Sequence, residues 1–225
     1  MKKTEIKNYS FFYRNGLTLV FITLTIFALI GQAYSGWREH NKELVEEHSQ
    51  ELSFSKYLTT GHFIEATFEN WESEFLQMYL FVVLTVFLRQ KGSSESKKLS
   101  GEEEVDREPN PTTKDAPWPV KKGGFILKLY KYSLSHALLL LFLVSFFFHF
   151  KGSLMDNNEE LMRKGLNTQT AGEYLVGPRF WFESFQNYQS EFLSIIAIVL
   201  LSIYLRHKGS PQSKPVDAPN METGD

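Results

Sequence analysis

Residues 57–93 read YLTTGHFIEATFENWESEFLQMYLFVVLTVFLRQKGS, and residues 174–210 read YLVGPRFWFESFQNYQSEFLSIIAIVLLSIYLRHKGS. The two segments align without a gap at an offset of 117 residues, and 16 of the 37 aligned positions are identical. Agreement at this level indicates an internal duplication. The same offset places Leu17 on Leu134 and Asn41 on Asn158. Each copy therefore predicts an apolar helix, a polar loop and a second helix that runs from polar to apolar.

Long uncharged runs indicate that these helices lie in a membrane. Between Arg14 and Arg38 there are 23 residues without a charge, and between Lys131 and Lys151 there are 19. Both runs are long enough to cross a hydrocarbon core of about 30 Å as helices. Lipid offers the backbone no hydrogen-bond partner, so each span should be helical. We therefore expect four membrane helices, at residues 14–35, 64–89, 128–150 and 181–206.

The second helix of each copy is the shorter one. Its uncharged run has 14 residues, which is about 21 Å of helix. This is less than the thickness of the hydrocarbon core. Either the membrane thins at these helices, or each helix carries its preceding polar turns into the lipid.

Composition and motifs exclude several function classes. The 225-residue chain has no cysteine, which excludes disulfides, thiol chemistry and metal sites with cysteine ligands. Its net charge of −2 gives no basic field that would attract a nucleic acid. The sequence has no Gly-rich phosphate loop, no His-Glu-x-x-His and no Gly-x-Ser-x-Gly motif. We therefore expect no enzymatic activity, no cofactor and no nucleic-acid partner.

The distribution of basic residues predicts the orientation. The two tails and the central segment carry 17 Lys and Arg residues, and the loops 36–74 and 151–191 carry 7. The positive-inside rule then places both termini and the central segment in the cytoplasm. A cleaved signal peptide is the alternative for the first span, because Ala33-Tyr34-Ser35 resembles a cleavage site. The corresponding helix of the second copy is internal, which argues against that alternative.

The duplication and the composition divide the chain into four parts. Residues 1–93 form the first two-helix membrane repeat, and residues 124–210 form the second. Residues 94–123 are rich in charged residues and proline, and we expect a disordered cytoplasmic linker there. Residues 211–225 have a similar composition and are expected to be a disordered tail.

A polar stripe on the second helix of each copy is the candidate functional site. Both copies contain the pattern N-[WY]-[EQ]-S-E-F-L. A charged carboxylate at the bilayer centre costs roughly 2.5–3.5 kcal/mol and less near the interface, so it should face the interior of the bundle. The candidate site consists of Asn70, Ser73, Glu74, Asn187, Ser190 and Glu191.

Three interpretations of this stripe stay open. Glu74 and Glu191 could lie at the outer interface and hold the helices together by hydrogen bonds. They could instead face each other around a pseudo-twofold axis along the membrane normal and form a proton or cation site, since oxygen ligands suit a hard cation. The third interpretation is a lining for another ligand or an oligomer contact. His136 and His149 on the third span raise the question of haem, but a hydrogen-bonding role is the favoured one.

Several strings resemble an uncharacterised family of small bacterial four-pass membrane proteins, described as a domain of unknown function. They are GQAYSGWREHN, GHFIEATFENWESEFLQM, VFLRQKGS, DAPWPVKKGG, RFWFESFQNYQSEFL and LRHKGSP. The resemblance covers about Asn15 to Pro215. It implies a bacterial inner-membrane location, and it implies no activity and no functional residues.

We therefore predict an all-α integral membrane protein with four transmembrane helices, built as two parallel two-helix repeats with cytoplasmic termini. The first functional hypothesis is binding or conduction of a small cation or proton through paired intramembrane Glu. The alternative is a non-catalytic structural or interaction protein of the cell envelope. The expected partners are the lipid bilayer and, because four helices leave little room for a wide pore, a second copy in a homo-oligomer.

Overall fold

The computed structural model describes residues 10–224, and within that range the chain is helical and contains no strand. The helices are α1 (Phe11–Glu46), α2 (Phe54–Tyr57), α3 (Gly61–Phe87), α4 (Trp118–Lys122), α5 (Gly124–Lys131), α6 (Ser133–Arg163), α7 (Ala171–Val176) and α8 (Pro178–Tyr204), with a 3-10 turn at Glu104–Asp106. The predicted all-α class is confirmed. Residues 1–9, which begin the predicted first repeat and include the expected cytoplasmic N-terminus, lie outside the described residues.

Local sequence signals explain where the long helices begin. The hydroxyl of Ser10 accepts a hydrogen bond from the backbone N–H of Tyr13 at the start of α1, and Thr60 does the same for Phe63 at the start of α3. Such side chains satisfy N–H groups that have no partner within the helix. Helix α8 begins instead with Pro178, which has no N–H to satisfy and whose φ suits a first helical position.

Three of these helices, α1, α6 and α8, are long and apolar enough to cross a membrane. The shortest of them has 27 residues, which is about 40 Å of helix. Large apolar side chains on these helices point away from the rest of the chain; for example, Leu17 exposes 76% of its surface and Phe27 exposes 77%. A surface of this kind is suited to lipid rather than to water. These helices support the prediction of an α-helical membrane protein.

Helix α3 differs from these three helices in composition. It corresponds to the expected span at 64–89, but it carries Glu65, Glu69, Glu72 and Glu74 and is not among the three helices that qualify as spans by length and composition. It nevertheless lies at the centre of the bundle, because it packs along α6 and also against α8. The fourth span stays a prediction.

Positions that are 117 residues apart have the same local structure. Helix α3 begins and ends 117 residues before α8, and α1 ends 117 residues before α6. The side chain of Asn41 bonds to both the N–H and the C=O of Leu52. Asn158 makes the same two bonds to Gln169, which is the residue 117 positions after Leu52.

Helices α3 and α6 touch through their backbones at two glycines. A Cβ atom on Gly61 would lie 2.3 Å from the backbone nitrogen of Asp156, and one on Gly152 would lie 2.5 Å from the backbone nitrogen of Glu65. Neither glycine has a positive φ, so the close approach and not the backbone conformation requires them. Small residues at such contacts allow membrane helices to pack at short range.

The C-terminal segment folds back onto the segment that follows α3. The ammonium group of Lys214 donates hydrogen bonds to the carbonyl oxygens of Gly92 at 2.5 Å, Asn220 at 2.8 Å and Glu222 at 2.8 Å. Gly92 in turn donates its N–H to the hydroxyl of Thr223 at 2.8 Å. Disorder of residues 94–123 and of residues 211–225 stays a prediction. Asp225 lies outside the described part of the chain. These hydrogen bonds would have to break for the tail to be free.

The backbone contact between α3 and α6 predicts an unusual response to alanine substitution. Gly152→Ala should lower the free energy of unfolding by about 1–3 kcal/mol, since the added methyl group forces the helices apart. Gly31→Ala, in α1, is the matched control because nothing lies within 4 Å of the added atom, and alanine there should raise helix stability by about 0.5–1 kcal/mol. Denaturant unfolding in detergent micelles measures both values. Equal effects of the two substitutions would contradict the contact.

Candidate functional site

A buried pair of ionisable side chains joins α3 to α6. Glu72 and His149 each expose 0% of their surface. The Nδ1 atom of His149 lies 2.6 Å from Oε2 of Glu72, and the hydroxyl of Tyr188 on α8 donates to Oε1 of the same carboxylate. Removing such groups from water is costly unless they are paired. Helices α3, α6 and α8 therefore all contribute to one polar contact.

A second carboxylate lies on the other side of the His149 ring. Its Nε2 atom is 3.8 Å from Oε2 of Glu183 on α8, which is too long for a hydrogen bond. Within the described residues, this buried nitrogen has no hydrogen-bond partner. Glu183 itself accepts from the hydroxyl of Ser153 at 2.7 Å and from Nε of Arg179 at 3.0 Å. We call Glu72, His149, Ser153, Arg179 and Glu183 the core network.

Arg179 connects the core network to three further acids, among them Glu160, whose Oε2 accepts from its Nη1 at 3.0 Å. Its guanidinium donates to Oδ2 of Asp156 at 2.8 Å and lies 3.9 Å from Oε1 of Glu65. The other oxygen of Glu65 is buried and, among the described residues, has no hydrogen-bond partner. Five carboxylates, on Glu65, Glu72, Asp156, Glu160 and Glu183, therefore surround two basic groups. Even with His149 protonated, the cluster needs further protons or a cation to be neutral.

A tyrosine closes the network on the side of α7. Tyr174 exposes 2% of its surface and its hydroxyl bonds to Ser153. Burial raises the pKa of Tyr174 to about 12. The phenol is therefore neutral near pH 7 and acts as a fixed hydrogen-bonding group, not as a source of protons.

The structure places the α3 half of the predicted stripe on different faces. Asn70 is exposed, and its side chain bonds to the carbonyl of Ala66 in its own helix. Ser73 exposes 1% of its surface and donates to the carbonyl of Asn70. Glu74 is exposed. Of the six candidate residues, hydrogen bonds within the described range join only Ser73 and Asn70.

The α8 half of the stripe contacts α3 at two points. The amide of Asn187 donates to the carboxylate of Glu69, and Ser190 is exposed. Glu191 is half-buried and its backbone carbonyl accepts from Gln77 at 2.8 Å. The Gln77 amide also donates to the hydroxyl of Ser194 at 2.6 Å. Gln77 and Ser194 are equivalent positions at the offset of 117, so the two helices meet there at matching residues.

The sequence pattern did not reveal the core network, because the predicted site was built from polar positions that the two aligned segments share. Glu72 corresponds to Gln189, and Glu183 corresponds to Ala66. His149 was expected to be a hydrogen-bonding residue, and its bond to Glu72 agrees with that expectation. The signal that could have found the network is the set of ionisable residues that only one copy contains.

A family model described as Domain of unknown function (DUF6766) matches residues 8–225. The chain belongs to this family. The expected membership of a family of unknown function is thereby confirmed. No curated protein and no solved structure matches the chain. Since the DUF6766 match covers every helix of the structure, the core network lies wholly within the family domain.

The charge balance of the core network predicts a large difference between two substitutions in the DUF6766 domain. Arg179→Gln should lower the free energy of unfolding by about 2 kcal/mol or more, since Asp156 and Glu183 then lose their charged donor. Lys164→Gln removes a cation whose side chain is 52% exposed and which contacts Glu160, so its cost should be below about 1 kcal/mol. Unfolding in detergent measures both. Similar losses for the two variants would show that Arg179 is not needed to hold these acids.

Proposed function

We propose that this protein binds a proton or a small cation inside a membrane-embedded helix bundle, at the core network. One observation carries the proposal: His149 is fully buried between Glu72 and Glu183, and its Nε2 atom has no hydrogen-bond partner in the described part of the chain. Ionisable side chains buried at membrane depth are costly, and where they occur they commonly mark ion or proton pathways. A catalytic role is not part of the proposal.

The excess of acids explains what this site would bind. A proton on His149 would interact with a carboxylate on each side, and a further proton or small cation would reduce the repulsion among the remaining acids. Carboxylate and hydroxyl oxygens are suitable ligands for a hard cation. The site shifts by two residues from the predicted one, since Glu72 faces the bundle whereas Glu74 is exposed.

The membrane topology that accompanies this proposal has four spans, arranged as two parallel two-helix repeats in a bacterial inner membrane with cytoplasmic termini. It is supported by the matching bounds of α3 and α8 and by the excess of basic residues in the tails and the central segment. Helix α3 is the fourth span. Three of its four acids bond to or face α6 and α8, which reduces the cost of their insertion.

The absence of cysteine makes the topology directly testable. Single cysteines at Gln50→Cys and Ser100→Cys lie on opposite sides of α3, and both native residues are exposed. With four spans, a membrane-impermeant maleimide added to intact cells should label position 50 and not position 100. If α3 does not cross, both positions are labelled or neither is. Labelling after permeabilisation controls for reactivity.

The proton or cation site is tested by two glutamine substitutions on one helix. Glu72→Gln should abolish proton flux into liposomes loaded with a pH-sensitive dye, measured under a potassium diffusion potential, because it removes the charge beside His149. Glu74→Gln is the matched control, two residues away and exposed, and it should keep the flux of the unmodified protein. Gel filtration checks that both variants remain folded.

Other outcomes of this experiment have definite meanings. If Glu74→Gln combined with Glu191→Gln abolishes flux while Glu72→Gln does not, the stripe and not the core network is the site. If the unmodified protein carries no flux of protons, Na⁺ or K⁺, and infrared titration shows no carboxyl band that Glu72→Gln removes, the proposal is overturned. The alternative, a structural or interaction protein of the cell envelope, would then be the better one.

A further inference from the structure

Two histidines and a glutamate meet where the end of α1 approaches the start of α3. The metal-binding atoms of His40, Glu43 and His62 all lie within 4.8 Å of one another. The two imidazole rings have centroids 4.8 Å apart, and Nδ1 of His40 is 3.8 Å from Oε2 of Glu43. We propose that these three residues, the His40 cluster, bind a transition-metal ion of the Zn²⁺ type.

His40 supplies an observation that is independent of this spacing. It exposes 2% of its surface, and its Nδ1 atom has no hydrogen-bond partner among the residues that the structure describes. A buried polar atom without a partner costs free energy. Since this atom points toward Glu43 at a distance too long for a hydrogen bond, a cation between the two side chains would satisfy both.

The second copy of the repeat has a positively charged side chain at the positions equivalent to the His40 cluster. The positions 117 residues further on are Asn157, Glu160 and Arg179. There, the guanidinium of Arg179 donates to Oδ1 of Asn157 at 3.4 Å and to Oε2 of Glu160 at 3.0 Å. The second copy thus places a permanent cation among these three positions. The first copy keeps the glutamate, has no arginine and has two imidazoles instead, so its cation would have to come from solution.

The donor set selects the class of metal. Two imidazoles and one carboxylate are the ligands of many zinc sites and suit other late first-row ions, whereas Mg²⁺ and Ca²⁺ prefer oxygen ligands alone. Ligands of one tetrahedral zinc lie roughly 3.3 Å apart at bond lengths near 2 Å. The three donor atoms lie within 4.8 Å of one another, and the side chain of Glu43, which is 55% exposed, has room to move closer to the imidazoles. Three protein ligands leave a fourth position for water.

A neighbouring tyrosine orients one of the ligands. The Tyr57 hydroxyl lies 3.0 Å from Nδ1 of His62. When Nδ1–H donates to the tyrosine oxygen, Nε2 keeps its lone pair for a metal, as in the outer-shell contacts of known metal sites. Gly36 permits this arrangement, because a Cβ there would lie 2.3 Å from the hydroxyl of Tyr57. In the second copy Ser153 occupies the position of Gly36, and its hydroxyl bonds to Tyr174 instead.

A metal at this place would attach α1 to the bundle. Within the described residues, a single hydrogen bond links a side chain of α1 to a side chain of α3. It runs from Gln32 to Thr67 at 3.2 Å. A metal held by His40 on α1 and His62 on α3 would add a second and stronger link. Metal binding should therefore raise the melting temperature, because an ion that binds only the folded state stabilises it.

The test uses the full-length protein in detergent after treatment with a chelator. Added Zn²⁺ should bind with a stoichiometry of one per chain by calorimetry and should raise the melting temperature. Added Co²⁺ should give the intense visible bands of a four-coordinate site. Glu43→Gln, on an exposed side chain, should weaken Zn²⁺ binding by about tenfold or more, and His62→Gln should abolish it. His48→Asn, at an exposed histidine outside the cluster, should bind Zn²⁺ like the unmodified protein.

Two results would overturn the proposal. One is a failure of Zn²⁺ and Co²⁺ to bind above the level of His62→Gln. The other is binding that Glu43→Gln leaves unchanged and His48→Asn removes, which would identify adventitious binding at the surface. The outcome is independent of the proposed proton or cation site, since Glu72→Gln should retain Zn²⁺ binding and Glu43→Gln should retain flux.

Discussion

The backbone contact between α3 and α6 determines where the acids of α3 lie. Because Gly61 and Gly152 have no side chain, the two helices approach until the next atoms are backbone nitrogens and carbonyls. At that separation Glu72 is fully buried and the side chain of Glu65 is only 13% exposed, so each needs a partner on α6 or α8. His149 and Arg179 supply those partners. The contact therefore buries acids of α3 that need polar partners, and the core network supplies these partners.

The two parts of the chain that align at an offset of 117 residues have similar backbone structure and differ in their ionisable side chains. The bonds of Asn41 and Asn158 to their loops recur at the same offset, and they fix the turn between each pair of helices. The ionisable residues at the centre do not recur. Arg179, whose equivalent is His62, takes part in a network of acids in one copy, whereas His62 meets another histidine in the other. Two segments of similar backbone structure can thus hold different charged groups at equivalent positions.

Sequence patterns predicted the helices and much less of the site. Charge-free runs located the apolar helices α1, α6 and α8, since composition and length alone decide whether a helix is long and apolar enough to cross a membrane. The rotation of α3 depends instead on Gly61 and Gly152, whose role is visible only when both helices are placed together. A stripe drawn through Asn70 and Glu74 by helical periodicity therefore misses Glu72, which the glycine contact turns toward His149. Helical periodicity identifies a polar face but does not identify the helix against which that face packs.

The composition of α3 follows from its position. This helix packs against α6 and α8 and approaches α1 at both Thr67 and His62, so more of its surface is covered by protein than that of α1. A polar side chain on such a helix can be satisfied by protein, whereas the same side chain on α1 would face hydrocarbon. His62 and Glu72 are ten residues apart, about 15 Å along the helix, and their partners come from different helices. One polar helix can in this way support two sites that are chemically separate, provided that apolar helices enclose it.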